Sequence, residues 1–182
     1  MSEADRDRGP DRDPEGVAWD RLAGLLPGPA AGAVRDCRLT GEQEAGLRLL
    51  VDGLLEHGVA LDGTTRAELS VLTESWGERE ALAGPLAQVA EAPAAGAPAQ
   101  VRVRVLDEDT AAAGTRERAD GLVLVPWLVC TRCDEVLSRV HRREPWGLSF
   151  LAEGYVIGAR ARTRTWDEAP AAYEQLLNVC PL

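Results

Sequence analysis

The spacing of apolar residues switches after the middle of this chain of 182 residues, and that switch decides which folds are open to it. Up to residue 89 they recur every three or four positions; at residues 101–105 they recur every second position. Leu47, Leu50, Val51, Leu54 and Leu55 fall at i, i+3, i+4, i+7 and i+8, one stripe of an amphipathic helix. Val101, Val103 and Val105 alternate with Arg102 and Arg104, as a half-buried strand requires. Between the two regimes, residues 92–99 (APAAGAPA) hold two prolines, a glycine and no charge, the composition of a linker. The expected fold class is α+β: a helical N-terminal half built on a helical hairpin, followed by a small, mainly antiparallel sheet with two helices.

The spacing divides the chain into a tail (residues 1–15), a helical half (16–91), the linker (92–99) and an α+β half (100–182). The tail has six acids, three arginines and no large aliphatic side chain beyond Met1, so disorder is expected. Trp19, Leu22, Leu25 and Leu26 predict a short helix that Pro27 ends. Residues 40–43 (TGEQ) and 65–68 (TRAE) have the spacing of capping boxes, which would open helices at Thr40 and Thr65. Gly58 is placed to close the first of these, with His57 beside it as a partner for the helix dipole. Leu82, Leu86 and Val89 continue helically around Pro85.

In the second half, residues 107–120 read as a charged loop. Residues 122–125 read as a covered strand that Pro126 ends or places at an edge. Residues 134–143 (DEVLSRVHRR) have acids first and arginines last, the charge order of a helix. Residues 148–152 and 155–165 read as a hairpin turning at Glu153 and Gly154, and Asp167 opens a last helix through Leu177.

Composition narrows the function classes. All 20 cations are Arg, and Ile157 and Asn178 are the sole Ile and Asn, a pattern that fits a GC-rich bacterial genome. The net charge of −10 disfavours nucleic acid. No stretch reaches the roughly 18 apolar residues of a membrane span, and no apolar signal-peptide core follows Met1, so a cytoplasmic protein is expected. Charge is uneven: residues 1–100 hold 18 acids and 9 arginines, whereas residues 132–164 hold 4 acids and 7 arginines. Arg160, Arg162 and Arg164 alternate, so on a strand they share one face, a candidate binding surface for an acidic partner.

Cys130 and Cys133 are the candidate site for chemistry. If residues 134–143 are helical, both sulfurs sit at a helix N-terminus beside Arg132, where the thiolate is favoured. Cys130 would then be the attacking thiolate, and Cys133, nearer Val136 and Leu137, the less accessible resolving thiol. Strand, CxxC and helix with Trp127 upstream resemble the thioredoxin-like arrangement, and residues 145–177 resemble that family's closing β-β-α; the resemblance implies thiol-disulfide exchange. Only 11 residues separate Cys133 from Pro145, where the family has another helix, strand and helix. The string at 129–135 (VCTRCDE) is also similar to the metal claw of nitrile hydratase α subunits, with Asp134 and Glu135 where that family has Ser and a third Cys. No cofactor is expected; a zinc ion would need Cys130 and Cys133 joined by Cys180 or Cys37 coming round from elsewhere in the chain. The leading expectation is a non-catalytic accessory or interaction module whose partner is another protein; the alternative is a redox or metal-binding protein centred on Cys130 and Cys133.

Overall fold

Both halves expected from the sequence are present in the computed structural model, which describes residues 14–92, 103–158 and 164–179. Five helices come first: α1 (Pro14–Ala23), α2 (Gly28–Thr40), α3 (Gln43–Glu56), α4 (Gly63–Ser75) and α5 (Arg79–Gln88). They are followed by β1 (Val103–Val105), α6 (Glu108–Gly114), β2 (Arg116–Glu117), β3 (Leu122–Cys130), β4 (Val136–Glu144), β5 (Gly147–Leu148), β6 (Gly154–Ile157), β7 (Arg164–Trp166) and α7 (Ala169–Val179). Every strand pairing is antiparallel; the order is β1-β3-β4-β6-β7, with β2 added to β3 and β5 to β4. The fold is α+β, and no helix of the described residues is long and apolar enough to cross a membrane.

The leucine stripe behaves as its spacing requires. Leu47, Leu50, Val51 and Leu54 are fully buried against Trp19, Leu22 and Val34, whereas Leu55, at the stripe's edge, remains exposed. Gly46 and Gly53 let the neighbouring chain approach: a Cβ on Gly46 would stand 3.1 Å from Trp19, and one on Gly53 2.9 Å from Leu26. Gly58 follows α3 with φ of 61°, the left-handed stop expected of it.

Both capping boxes are corrected. Thr40 ends α2, its hydroxyl donating back to the carbonyls of Asp36 (3.0 Å) and Cys37 (3.1 Å), and Gly41 turns the chain at φ of 83°. The N-cap of α4 is Asp62, whose carboxylate accepts from the Thr65 amide at 2.8 Å, so Thr65 lies one turn inside. Pro27 does not simply end a helix but is the N-cap of α2, a helix whose buried residues, Ala31 and Val34, are too small to stand out as a stripe. The helical reading also reaches into the tail, since α1 begins at Pro14.

The largest correction concerns residues 134–143. They form no helix; residues 136–144 are β4, the middle strand of the sheet, paired with β3 on one side and β6 on the other. Charge order along the chain is worth tenths of a kcal/mol, whereas a central strand gains a ladder on both edges and buries Leu137, Val140 and His141. Nor does Pro126 end β3. The ladder slips by a residue between Pro126 and Leu128, and this bulge absorbs the missing amide. The supposed loop at 107–120 contains α6, capped by Asp107 through the Thr110 amide (2.8 Å), and β2.

Helix α4 joins the two layers. Its Leu69 and Leu72 pack with the helical core, while Ala67 and Val71 pack with Val103, Trp127, Leu137 and Ile157 of the sheet and with Leu176 of α7. Val103 is buried and Val105 half-buried, as the alternation of this strand requires; Val101 lies outside the described residues. The chain is tied as far as Ala92 by hydrogen bonds between Leu61 and the strand-like residues 90–92, and most of the expected linker, residues 93–99, also lies outside.

Candidate functional site

Cys130 ends β3 and Cys133 sits in the turn that leads directly into β4. The turn is closed by the Cys130 amide donating to the Glu135 carbonyl (2.9 Å) and the Asp134 amide to the Cys130 carbonyl (3.1 Å). Asp134 takes a left-handed φ of 56°, which a short Asp side chain tolerates. Cys130 is 1% exposed and packs in the core with Trp127 and Leu137, whereas Cys133 is exposed. Two expectations therefore reverse: there is no helix N-terminus to favour a thiolate, and Cys133, not Cys130, is the accessible sulfur. The strand-CxxC-helix order behind the thioredoxin-like resemblance is replaced by strand-turn-strand.

Cys180 lies outside the described residues, and among the described residues no group of three or more His, Cys, Asp or Glu side chains is arranged to hold a metal. Arg160 and Arg162 also lie outside. Arg164 starts β7, paired with Ile157 in the β6–β7 ladder. Ser138 and His141, three apart, fall on opposite faces of β4 rather than on one helix face.

What the structure brings together instead is a buried polar cluster where β4 meets α4. Arg139 lies 2.9 Å (Nε) from Glu74 Oε2, with 11% and 6% of the two side chains exposed. The contact is an ion pair without an aligned hydrogen bond, so both atoms are buried with no hydrogen-bond partner. Arg79 reaches the same oxygen from α5 at 3.5 Å, and Tyr155 donates its hydroxyl to Glu74 Oε1 at 3.2 Å. The Trp127 indole donates to Ser70 Oγ at 3.0 Å. Burial pulls Arg139 down to about 10 although Glu74 opposes the shift. Burial and the Glu74 carboxylate push Tyr155 well above the ordinary tyrosine range.

Beyond this cluster β4 runs out of the body into a tip formed with β5. Glu144 pairs with Gly147, leaving Pro145 and Trp146 as a two-residue turn. Trp146 is 92% exposed, and Leu148, Phe150 and Leu151 are also exposed. The charges at the base are matched in pairs: Arg142 holds Glu153 through two hydrogen bonds (2.7 and 2.9 Å), and Arg143 meets Glu117 at 3.2 Å. Arg79 fixes the far side of the tip by donating to the Phe150 carbonyl at 3.1 Å. Reading residues 148–152 as one arm of a hairpin missed this surface; the signal was available in apolar residues at 146, 148 and 150 with no strand left to cover them.

The chain matches no protein-family model, no curated protein and no solved structure.

Proposed function

We propose that the protein is an interaction module that offers the β4–β5 tip to another protein, with Trp146 as the anchoring side chain. The observation that carries this reading is the exposure of Trp146 in a segment that also exposes Leu148, Phe150 and Leu151. An isolated exposed apolar residue needs no explanation, but four within six positions form the composition of an interface centre. Tryptophan in particular supplies a large rigid area at small entropic cost, which is why it recurs among residues that dominate binding energy. The arginines at the base, Arg142 and Arg143, are already matched by Glu153 and Glu117, so the expected partner presents an apolar pocket rather than an acidic face.

The test is a photo-crosslinking amino acid placed at Trp146 in the full chain, expressed in its own cells, with the same group at Leu39 as control. Leu39 is 76% exposed on α2, far in sequence from the tip. A discrete adduct from position 146 that is absent from position 39 supports the reading, and Phe150→Ser should weaken it. Equal labelling from the two positions refutes it.

A further inference from the structure

A groove of about 990 Å³ runs between α4 and α5 on one side and β1, β3 and α6 on the other. Leu86 and Val89 line its helical wall, and the half-buried Val105, Val125 and Pro126 its sheet wall. Its arginines are already satisfied. Arg139 and Arg79 meet Glu74, Arg79 also meets Glu80 at 3.6 Å, and Arg66 donates to the carbonyls of Leu86, Val89 and Ala90. The other charged groups of the lining, Glu91, Asp107 and Glu108, are exposed acids. An acidic occupant therefore finds no free cation in the groove, whereas an apolar, uncharged one suits both walls.

The chain carries such a body of its own. Residues 145–152 (PWGLSFLA), in the β4–β5 tip, hold no charge, and among them Trp146, Leu148, Phe150 and Leu151 are exposed. Tip and groove adjoin, because Arg79 of the groove lining donates to the Phe150 carbonyl at 3.1 Å. Trp146 is 92% exposed, so the tip does not fill the groove of its own chain.

We propose that the tip enters the groove of a second copy of this chain while that copy's tip enters the first groove, forming a two-fold dimer. This inference rests on the tip's being the binding surface and names its partner. Two patches side by side on one molecule meet the same two patches on another turned by half a rotation, so both contacts form at once and the assembly closes. Area favours the reciprocal arrangement. Two aromatic side chains and two leucines bury on the order of 500 Å² per tip. Two tips with the groove walls they face come to about 1,500 Å², the size of a standard stable interface, whereas one tip in one groove gives about half of that, the size of a transient encounter.

The experiment is sedimentation equilibrium of the full chain, of Trp146→Ser and of Ala83→Trp, up to about 100 μM. Ala83 is exposed in the groove lining on α5, so a tryptophan there fills the groove without entering the core. The parent is expected to dimerise, and each variant to weaken the dimer by about tenfold or more, as loss of a buried aromatic anchor does, with circular dichroism unchanged. A photo-crosslinking group at position 146 of the purified chain should attach to groove residues of an isotopically labelled copy. The inference is overturned if the parent stays monomeric at that concentration, if either variant dimerises as the parent does, or if the adduct lies outside the groove. A monomeric chain whose position 146 still gives a discrete adduct with a different protein in cells would sink the dimer and leave the tip reading standing; equal labelling from positions 146 and 39 in cells would sink both.

Discussion

Arg139 stands over Trp127, its guanidinium carbon 4.1 Å from the ring centroid, and turns its Nε to Glu74 at 2.9 Å. The aromatic ring and the carboxylate together replace much of the water that a buried guanidinium would otherwise require. The arrangement ties two neighbouring strands to a helix: Trp127 belongs to β3, Arg139 to β4 and Glu74 to α4. Removing Glu74 takes the carboxylate partner from the buried Arg139, whereas the more exposed Arg79 keeps Glu80 at 3.6 Å. Glu74→Ala is therefore expected to cost about 3–5 kcal/mol in urea unfolding, whereas Glu74→Gln with Arg139→Met, which removes the buried charges together, should recover most of it. A cost below about 1 kcal/mol for Glu74→Ala would show that water reaches the pair.

Acid sensitivity should begin with His141. The imidazole is 3% exposed, and its Nδ1 faces the Ser149 carbonyl at 2.8 Å, so Nδ1 carries the hydrogen of the neutral ring. Burial lowers its pKa below the ordinary 6.5, with the Arg79 and Arg139 charges adding to the effect and the Ser149 carbonyl and Glu74 opposing it. The unfolded chain then takes up a proton near pH 6.5 that the folded chain still refuses. Stability from this group is full above pH 6.5 and is lost as the pH falls below it. Urea midpoints should drop between pH 7.5 and 5.5, and His141→Asn, which keeps a donor toward Ser149, should flatten that interval. Asp107 and Glu78 do not interfere there, because hydrogen bonds from Thr110 and Arg48 respectively lower their values from 3.8 and 4.5.

Periodicity made the leucine stripe, the β1 alternation and the final helix legible, since each depends on residues close in sequence. What it could not show was which neighbour a segment would meet. Residues 134–143 carry helix-like charge order, yet Leu137 and Val140 find their partners on β3 and β6, far along the chain. With that helix went the electrostatic case for Cys130, because the thiolate argument depended on amides that a strand spends on its ladder. The Glu74–Arg139 contact joins residues 65 positions apart, and neither residue is distinguishable by sequence from a solvated charge. α2 was hidden for a different reason: alanines can bury a helix face without forming a visible stripe.

Two glycines in equally ordinary sequence surroundings should respond oppositely to a methyl group. At Gly114, the end of α6, a Cβ would stand 2.8 Å from Cγ of the rigid Pro126 ring, so α6 must move off β3. Gly114→Ala is expected to destabilise by about 1–3 kcal/mol, the usual cost of overpacking. Gly32 lies inside α2 with nothing within 4 Å of the added atom, and Gly32→Ala should stabilise by about 0.5–1 kcal/mol through helix propensity and reduced unfolded-state freedom. Thermal unfolding of the two variants beside the parent protein checks both signs.

The thiol alternative makes a prediction that the strand-turn-strand geometry inverts. With Cys133 exposed in the turn and Cys130 1% exposed among Trp127 and Leu137, alkylation in native buffer should modify position 133 and reach position 130 only on unfolding. Site-resolved mass spectrometry of peptides carrying each cysteine distinguishes them from Cys37 and Cys180. Cys133→Ser should remove the native-state label from this peptide, and Cys130→Ser should leave it while lowering stability, since serine brings a hydroxyl into an apolar core. Rapid labelling of Cys130 in the folded protein, at a rate that rises through a thiol pKa well below 8.5, would instead favour the redox reading, because only an opened and activated thiolate reacts in that way.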